Sequence, residues 1–421
     1  VGASYSKAVF GPGADFFCAA FFEEAHFDGA RFSGDVSFER AAFCGGTASF
    51  DYVTFSGNVG FYRAVFLVKS SFYRAKFFNY SYFASASFSE GVSFASSEFS
   101  GDVNFNRTVF SGDAVFYGAI FNFGVEFSGA FNSKGDFRNA VFEGPVRFQA
   151  TISDPERYFS GAFYAARFAA IADFSGAVGP DEGGRLAAAF GEAQFEKTLI
   201  LTDGSDRQAR SYFHRIVLPA VLGVKDDGRD ARLRQLEAGC RTLKIAMGKA
   251  KDELREQRYY RFQLQARLGR SDIDGWEKAF GLVYRLLSDF GSSLWRPLLA
   301  LVLFTALCGQ GYAIWGASLA GGRFAVIPSR DFAFEGQGAA LAALKPFATI
   351  EAPKPRDEPV KNPAVKSSAP PRSAPPTLVG VLTHNAAVSL GLRVATALQV
   401  VVSTLLVFLF ALAVKRRFQI S

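Results

Sequence analysis

Residues 88–110 read Phe88-Ser-Glu-Gly-Val-Ser-Phe94-Ala-Ser-Ser-Glu-Phe99-Ser-Gly-Asp-Val-Asn-Phe105-Asn-Arg-Thr-Val-Phe110, with Phe recurring at steps of six, five, six and five. A helix cannot bury such a series, because steps of five and six at 100° per residue throw successive rings to opposite sides of the cylinder. An extended chain can. Residues two apart on a strand face the same way, and two places before each Phe stands a small residue, as in Val92-Ser-Phe94 and Val103-Asn-Phe105. Each short extended piece therefore sends one small side chain and one Phe inward, and the Gly, Ser, Asp and Asn between pieces turn the corner.

Working outward, the same spacing covers Phe10, Phe16 and Phe21, then Phe27, Phe32, Phe38, Phe43, Phe50, Phe55, Phe61, Phe66, Phe72, Phe77, Phe83 and Phe88, and continues past Phe110 to Phe116, Phe121 and Phe127. Strands this short close a core only when coils stack on one another at about 4.8 Å. Four sides of five and six residues in alternation make a coil of about 22. The chain holds 48 Phe against one Met and three Trp, and this repeat is the reason. Three irregularities are expected to bulge outward as loops: Gly45-Gly46, which lengthen one step; Asn132, where a Phe is due; and the interruptions at Pro155 and residues 178–184.

These small-x-Phe units resemble the pentapeptide-repeat family in its Phe-centred branch. The resemblance implies a mainly β fold, a right-handed quadrilateral β-helix with the central residue and its small neighbour inside. Some members of that family resemble acidic duplex DNA and bind enzymes such as gyrase. Here acids alternate with bases along the chain, as in Glu39-Arg40, so a DNA mimic stays a secondary alternative and no direct nucleic-acid partner is expected.

Charge divides the chain. Residues 1–200 carry a net −6 and residues 201–421 a net +13, within a total of +7. The basic half also holds the long apolar runs, so its charge reads as membrane flanking rather than nucleic-acid binding. After residue 202 the Phe rhythm stops. Leu233, Leu236, Cys240, Leu243 and Met247 then fall at steps of three and four, the stripe of a helix. A second helix over residues 252–268 and a third over 276–290 complete a connector, which resembles the helical region of membrane-anchored bacterial pentapeptide-repeat proteins and would cap the open end of the solenoid.

Residues 297–322 and 394–414 contain no charged side chain, and each run is long enough to span a bilayer. The expected domains are a solenoid (1–202), a connector (203–294), a first span (295–320), an outer loop (321–385), a second span (386–414) and a basic tail (415–421). Trp295 and Arg296 are expected at one membrane interface and Lys415, Arg416 and Arg417 at the cytoplasmic end of the second span. The positive-inside rule then places both termini in the cytoplasm, and the resemblance implies the inner membrane of a bacterium. Eight of the 16 Pro fall in residues 351–376, a composition for an extended linker. The apolar piece 339–348 raises the alternative of a channel-like or sensing module, although no Thr-Val-Gly-Tyr-Gly filter is present.

Enzymatic constellations are missing from the sequence. His26, His214 and His384 lie in separate regions, Cys18, Cys44, Cys240 and Cys308 form no pair at metal spacing, and there is no phosphate loop or nucleophile elbow. The expectation is a non-enzymatic protein with no cofactor, no metal and no catalytic residue. It would present its solenoid to an unidentified protein partner at the lipid bilayer, as an interaction or scaffolding module, and a homo-oligomer is compatible with both halves.

Overall fold

The computed structural model of the chain describes residues 2–153, 161–177, 187–201, 228–291, 293–321 and 386–418. Pro155, residues 178–184, the apolar piece 339–348 and the Pro-rich segment 351–376 lie outside the described residues. Two compact units divide the chain, residues 1–278 and 279–421.

In the first unit the Phe-bearing segment winds into a β-solenoid of about seven complete turns, with four parallel sheets of seven, nine, nine and seven strands. Face 1 begins with Ala3–Ser4, face 2 with Val9–Phe10, face 3 with Ala14–Asp15 and face 4 with Ala20–Phe21. Each strand pairs with the one a coil later: Ala3 with Ala25, Val9 with Arg31, Ala14 with Val36 and Ala20 with Ala42, a register of 22 residues.

The register stacks Phe on Phe in four columns. Face 1 runs Phe50, Phe72, Phe94, Phe116, with ring centroids 4.8–5.0 Å apart and nearly parallel planes. Face 2 stacks Phe77 on Phe99 at 4.5 Å, face 3 stacks Phe83 on Phe105 at 4.9 Å, and face 4 stacks Phe66 on Phe88 at 4.7 Å. Columns 1 and 3 also meet edge to face across the lumen, Phe38 on Phe50 at 5.4 Å and 89°. Aromatic pairs of both kinds contribute about 0.5–1.5 kcal/mol beyond the area they bury. From Phe27 to Phe127 every ladder Phe is at most 1% exposed, so the ladder is the core.

Two corners of each coil are tight turns, in which the residue two after Phe takes a positive φ and the next N–H bonds back to the Phe carbonyl, as Ala30 does to Phe27 at 3.0 Å. Gly29 fits that conformation freely, but Arg40, Arg63, Arg74 and Arg107 adopt it too, at φ of 54–58°, against a steric cost of about 1–2 kcal/mol each.

Two expected bulges are tight adjustments instead. At Gly45-Gly46 the register lengthens to 23, Ala25 facing Ala48. The backbone hugs the preceding coil, for a Cβ on Gly45 would stand 2.1 Å from the Phe22 carbonyl oxygen. At Asn132 there is no loop: Phe131 takes the ladder position one residue early, stacks on Phe110 at 4.6 Å and leaves Asn132 outside. The register shortens to 21. The shortened corner presses Gly129 against the Thr108 carbonyl oxygen, which an added Cβ would approach to 1.7 Å. Phe steps counted along the sequence assume a constant corner length, and Gly129 removes one residue from it.

Helices α1 (Arg229–Lys249) and α2 (Glu253–Leu268) form a hairpin whose apolar stripe joins the solenoid core. Helix α1 lies on the last coil at the 3-10 segment Ala188–Phe190, with Gly239 so close to the Ala187 carbonyl that a Cβ there would stand 1.6 Å away. Lys249 Nζ donates to the Phe195 carbonyl at 3.1 Å, satisfying an acceptor on the terminal strand edge. Helix α3 (Gly275–Ser288) follows.

In the second unit α4 (Trp295–Gly321) packs against α5 (Ala386–Phe418). Two spans were expected, but among the described residues one helix is long and apolar enough to cross a membrane: Ala397–Lys415 of α5, with mean hydropathy 2.6. Helix α4 has the length, while its side chains are described only to residue 311.

We expect Gly129→Ala to lower the melting temperature of the solenoid sharply, by circular dichroism on the intact chain, while Gly91→Ala, with 3.5 Å to its nearest neighbour, leaves it nearly unchanged. Equal melting of the two variants would contradict the tight corner.

Candidate interaction surface

With every ladder ring inside, chemistry on the solenoid is left to the outward residues, and the coil register sorts these by face. Face 4 shows Ala20, Ala42, Val65, Ser87, Val109, Ala130 and Thr151 in succession, a flat uncharged surface. Face 3 differs. Its outward column and preceding corner line two shallow grooves of about 480 and 520 Å³.

The grooves meet at an aromatic ridge. Tyr82, outward on its strand, stacks on Tyr62 of the previous coil at 5.5 Å and on Tyr80 of its own corner at 5.8 Å. The Arg63 guanidinium sits 5.1 Å over the Tyr62 ring, so one of the left-handed Arg residues covers the ridge edge. Gly60, Asn104 and Gly124 around it carry small or no side chains, which is what leaves room for the grooves.

Six carboxylates line the two grooves, Asp15, Asp35 and Glu39 in one and Asp102, Glu126 and Asp173 in the other, against the single guanidinium of Arg147. Most of them are held by hydrogen bonds. The Asn58 N–H donates to Asp35 at 2.7 Å, the Gly124 N–H to Asp102 at 2.8 Å and the Ser175 N–H to Asp173 at 2.9 Å. Glu126 accepts from Asn106 at 2.8 Å and from Arg147 at 3.2 Å. Charge-assisted bonds of this kind fix the carboxylates on the surface. The result is a rigid acidic surface with an aromatic centre, suited to a cationic polypeptide segment.

The other concentration of titratable groups is at the cap, and there the chemistry is structural. Glu237 is 3% exposed and receives Arg270 at 2.6 Å, while Arg270 also holds Asp272 at 2.5 Å. The Asp272 carboxyl is thereby lowered to about 2, chiefly by the hydrogen bond from Arg270. Burial, with the Glu237 charge nearby, pushes the Cys240 thiol well up, so it stays a protonated core group. His26, outward on face 1, sits 3.2 Å from Glu24 and 3.4 Å from Asp28. Among the described residues no cluster of three or more His, Cys, Asp and Glu side chains is placed to hold a metal.

At the other expected positions, Trp295 is 77% exposed at the start of α4 and Arg296 donates to the Arg285 carbonyl at 3.4 Å. Lys415, Arg416 and Arg417 lie in the last turns of α5, with the side chains of the two arginines outside the described residues. Face 3 itself was not anticipated. Its signal was present, since stepping along its outward column meets Gly60, Tyr82, Asn104 and Glu126 in turn.

Residues 19–65 and 83–130, both within the solenoid, match the family model of pentapeptide repeats in nine copies. No curated protein and no solved structure is significantly similar to the chain.

In a variant retaining only Cys240, maleimide should label slowly in the folded protein and fully after denaturation, whereas a variant retaining only the exposed Cys18 should label at once. Rapid native labelling of Cys240, measured by mass shift, would contradict the buried cap.

Proposed function

We propose that the chain is a membrane-anchored protein-interaction module, which holds its solenoid at the cytoplasmic face of a bacterial inner membrane and engages a protein partner through face 3. The observation that carries the interaction is the acidic, tyrosine-centred groove pair, which combines concavity, fixed charge and exposed aromatic surface. A partner segment rich in Lys or Arg with an apolar or aromatic residue would match it.

The anchor rests on how the α4–α5 pair distributes polarity. Thr305, Gln399 and Ser403 are buried, while Leu299, Val302, Leu303, Leu398, Val401, Leu405 and Phe408 are exposed, several at more than half of their surface. A soluble helix pair would bury those chains; a lipid-facing pair leaves them outward and lets small polar groups meet between helices. In this reading α4 is the second spanning helix, its 27 residues giving about 40 Å of length. Lys415, Arg416 and Arg417 then fix the C terminus inside and return the solenoid to the same side.

Two measurements test this. The intact chain should stay in the membrane pellet through alkaline carbonate washing; release into the supernatant would remove the anchor. A photo-crosslinking residue at Tyr82 should give a discrete adduct in native membranes and the same residue at Val109, on face 4, none. Equal adducts from both positions, or none from Tyr82, would refute face 3 as the docking surface.

A further inference from the structure

Helix α3 has two unlike sides. Trp276, Phe280, Val283 and Leu286 recur at helical spacing and are 75%, 72%, 48% and 74% exposed. The opposite side carries Glu277, Lys278 and Arg285. Glu277 is turned to protein, for Arg267 Nε of α2 donates to it at 2.7 Å. The apolar side is therefore the outer one. An exposed apolar stripe of this breadth, on a helix whose other side carries the charged residues, marks a surface that is covered in the working protein.

We propose that α3 is an interfacial helix, which lies in the plane of the bilayer with Trp276, Phe280, Val283 and Leu286 in the boundary between headgroups and acyl chains. The proposal rests on the membrane reading of α4 and α5 and extends it to a segment with no spanning character. Continuity argues for lipid as the occupant. Helix α3 ends at Ser288 and α4 begins at Trp295, so the elbow between them is short, and its described residues are tied by hydrogen bonds.

Asp289, Phe290 and Gly291 take left-handed φ of 48°, 57° and 82° in succession. Ser288 holds the turn, accepting the Gly291 N–H on its hydroxyl and the Ser293 N–H on its carbonyl, both at 3.1 Å. Arg296 reaches back to the Arg285 carbonyl at 3.4 Å. Because the elbow binds the end of α3 to the start of α4, α3 shares the depth at which α4 enters the bilayer. Trp295 and Leu299 in the first turns of α4 are exposed as well, at 77% and 60%. A large apolar face, a charged back and a length of four turns is the pattern of helices that lie on membranes rather than cross them.

The test uses the full chain in phosphatidylcholine–phosphatidylglycerol vesicles, with Trp276 as the only tryptophan (Trp295→Phe, Trp315→Phe). Its fluorescence should be quenched about twofold more by lipid brominated near the headgroup than by lipid brominated near the chain ends, as burial ~5–10 Å below the surface requires. Phe280→Glu should abolish that quenching while the protein stays in the vesicle fraction.

A companion protein lacking all three native tryptophans and carrying Val401→Trp reports α5 separately, and deep-brominated lipid should quench it. Quenching of the α5 reporter without quenching of Trp276 would overturn the interfacial helix and leave the anchor standing. No quenching of either would overturn both. A Trp276 signal insensitive to every brominated lipid, together with crosslinks between copies through α3, would assign the stripe to a second chain instead.

Discussion

A ring stacked on a ring sits 4.5–5.5 Å away in this solenoid, and parallel strands sit roughly 4.8 Å apart. That coincidence is what the rest of the structure depends on. Because the two spacings agree, one inward Phe per side satisfies the backbone ladder and the core at once, and neither has to be distorted for the other. A branched aliphatic residue fills the same position less flatly, and the chain uses one where stacking ends: Ile152 stands opposite Phe131 in the last strand pair of face 4, and Leu201 opposite Phe174 on face 3.

Everything else in the solenoid is a corner, and corners absorb error. One added residue at Gly45-Gly46 and one lost at Gly129 change the register to 23 and 21, yet Phe columns pass through both places without a break. Glycine makes this feasible by letting the backbone approach a neighbouring carbonyl that any Cβ would strike. The left-handed Arg corners work the other way. Gly29 and Gly118 show that glycine fits the position, whereas Arg40, Arg63 and Arg74 hold the strained conformation and lay their guanidinium groups over Phe17, Tyr62 and Tyr73.

The ladder was legible in the sequence because its rule is local: five or six residues on, another Phe. Phe131 escaped the rule because a corner length is decided by contact with Thr108 in the coil below, which no linear count contains. The outer surface escaped it for a related reason. Glu39 and Arg40 are neighbours in sequence and read as cancelling charges, but Glu39 lines a groove of face 3 while Arg40 sits at a strained corner over Phe17. Tyr62 and Tyr82 are 20 residues apart and become a stacked pair only through the register. Surface chemistry on a solenoid is a property of columns, and columns appear only once the coil length is known at every turn.

The helical half inverts the use of apolar side chains, and that inversion is what the proposed anchor rests on. In the solenoid the ladder Phe residues are inside, and most polar groups of the strands face outward. In α3, α4 and α5 many of the large apolar chains are outside, among them Phe280, Leu303 and Phe408, and Thr305, Gln399 and Ser403 are within. A protein in water alone would gain by reversing the second arrangement. An apolar exterior of this kind favours another apolar phase around it, and in the proposed anchor the basic residues Arg296 and Lys415 would stand at the boundary of that phase with water. With the anchor proposed for α4 and α5, the grooved acidic face would meet partners that come to the membrane.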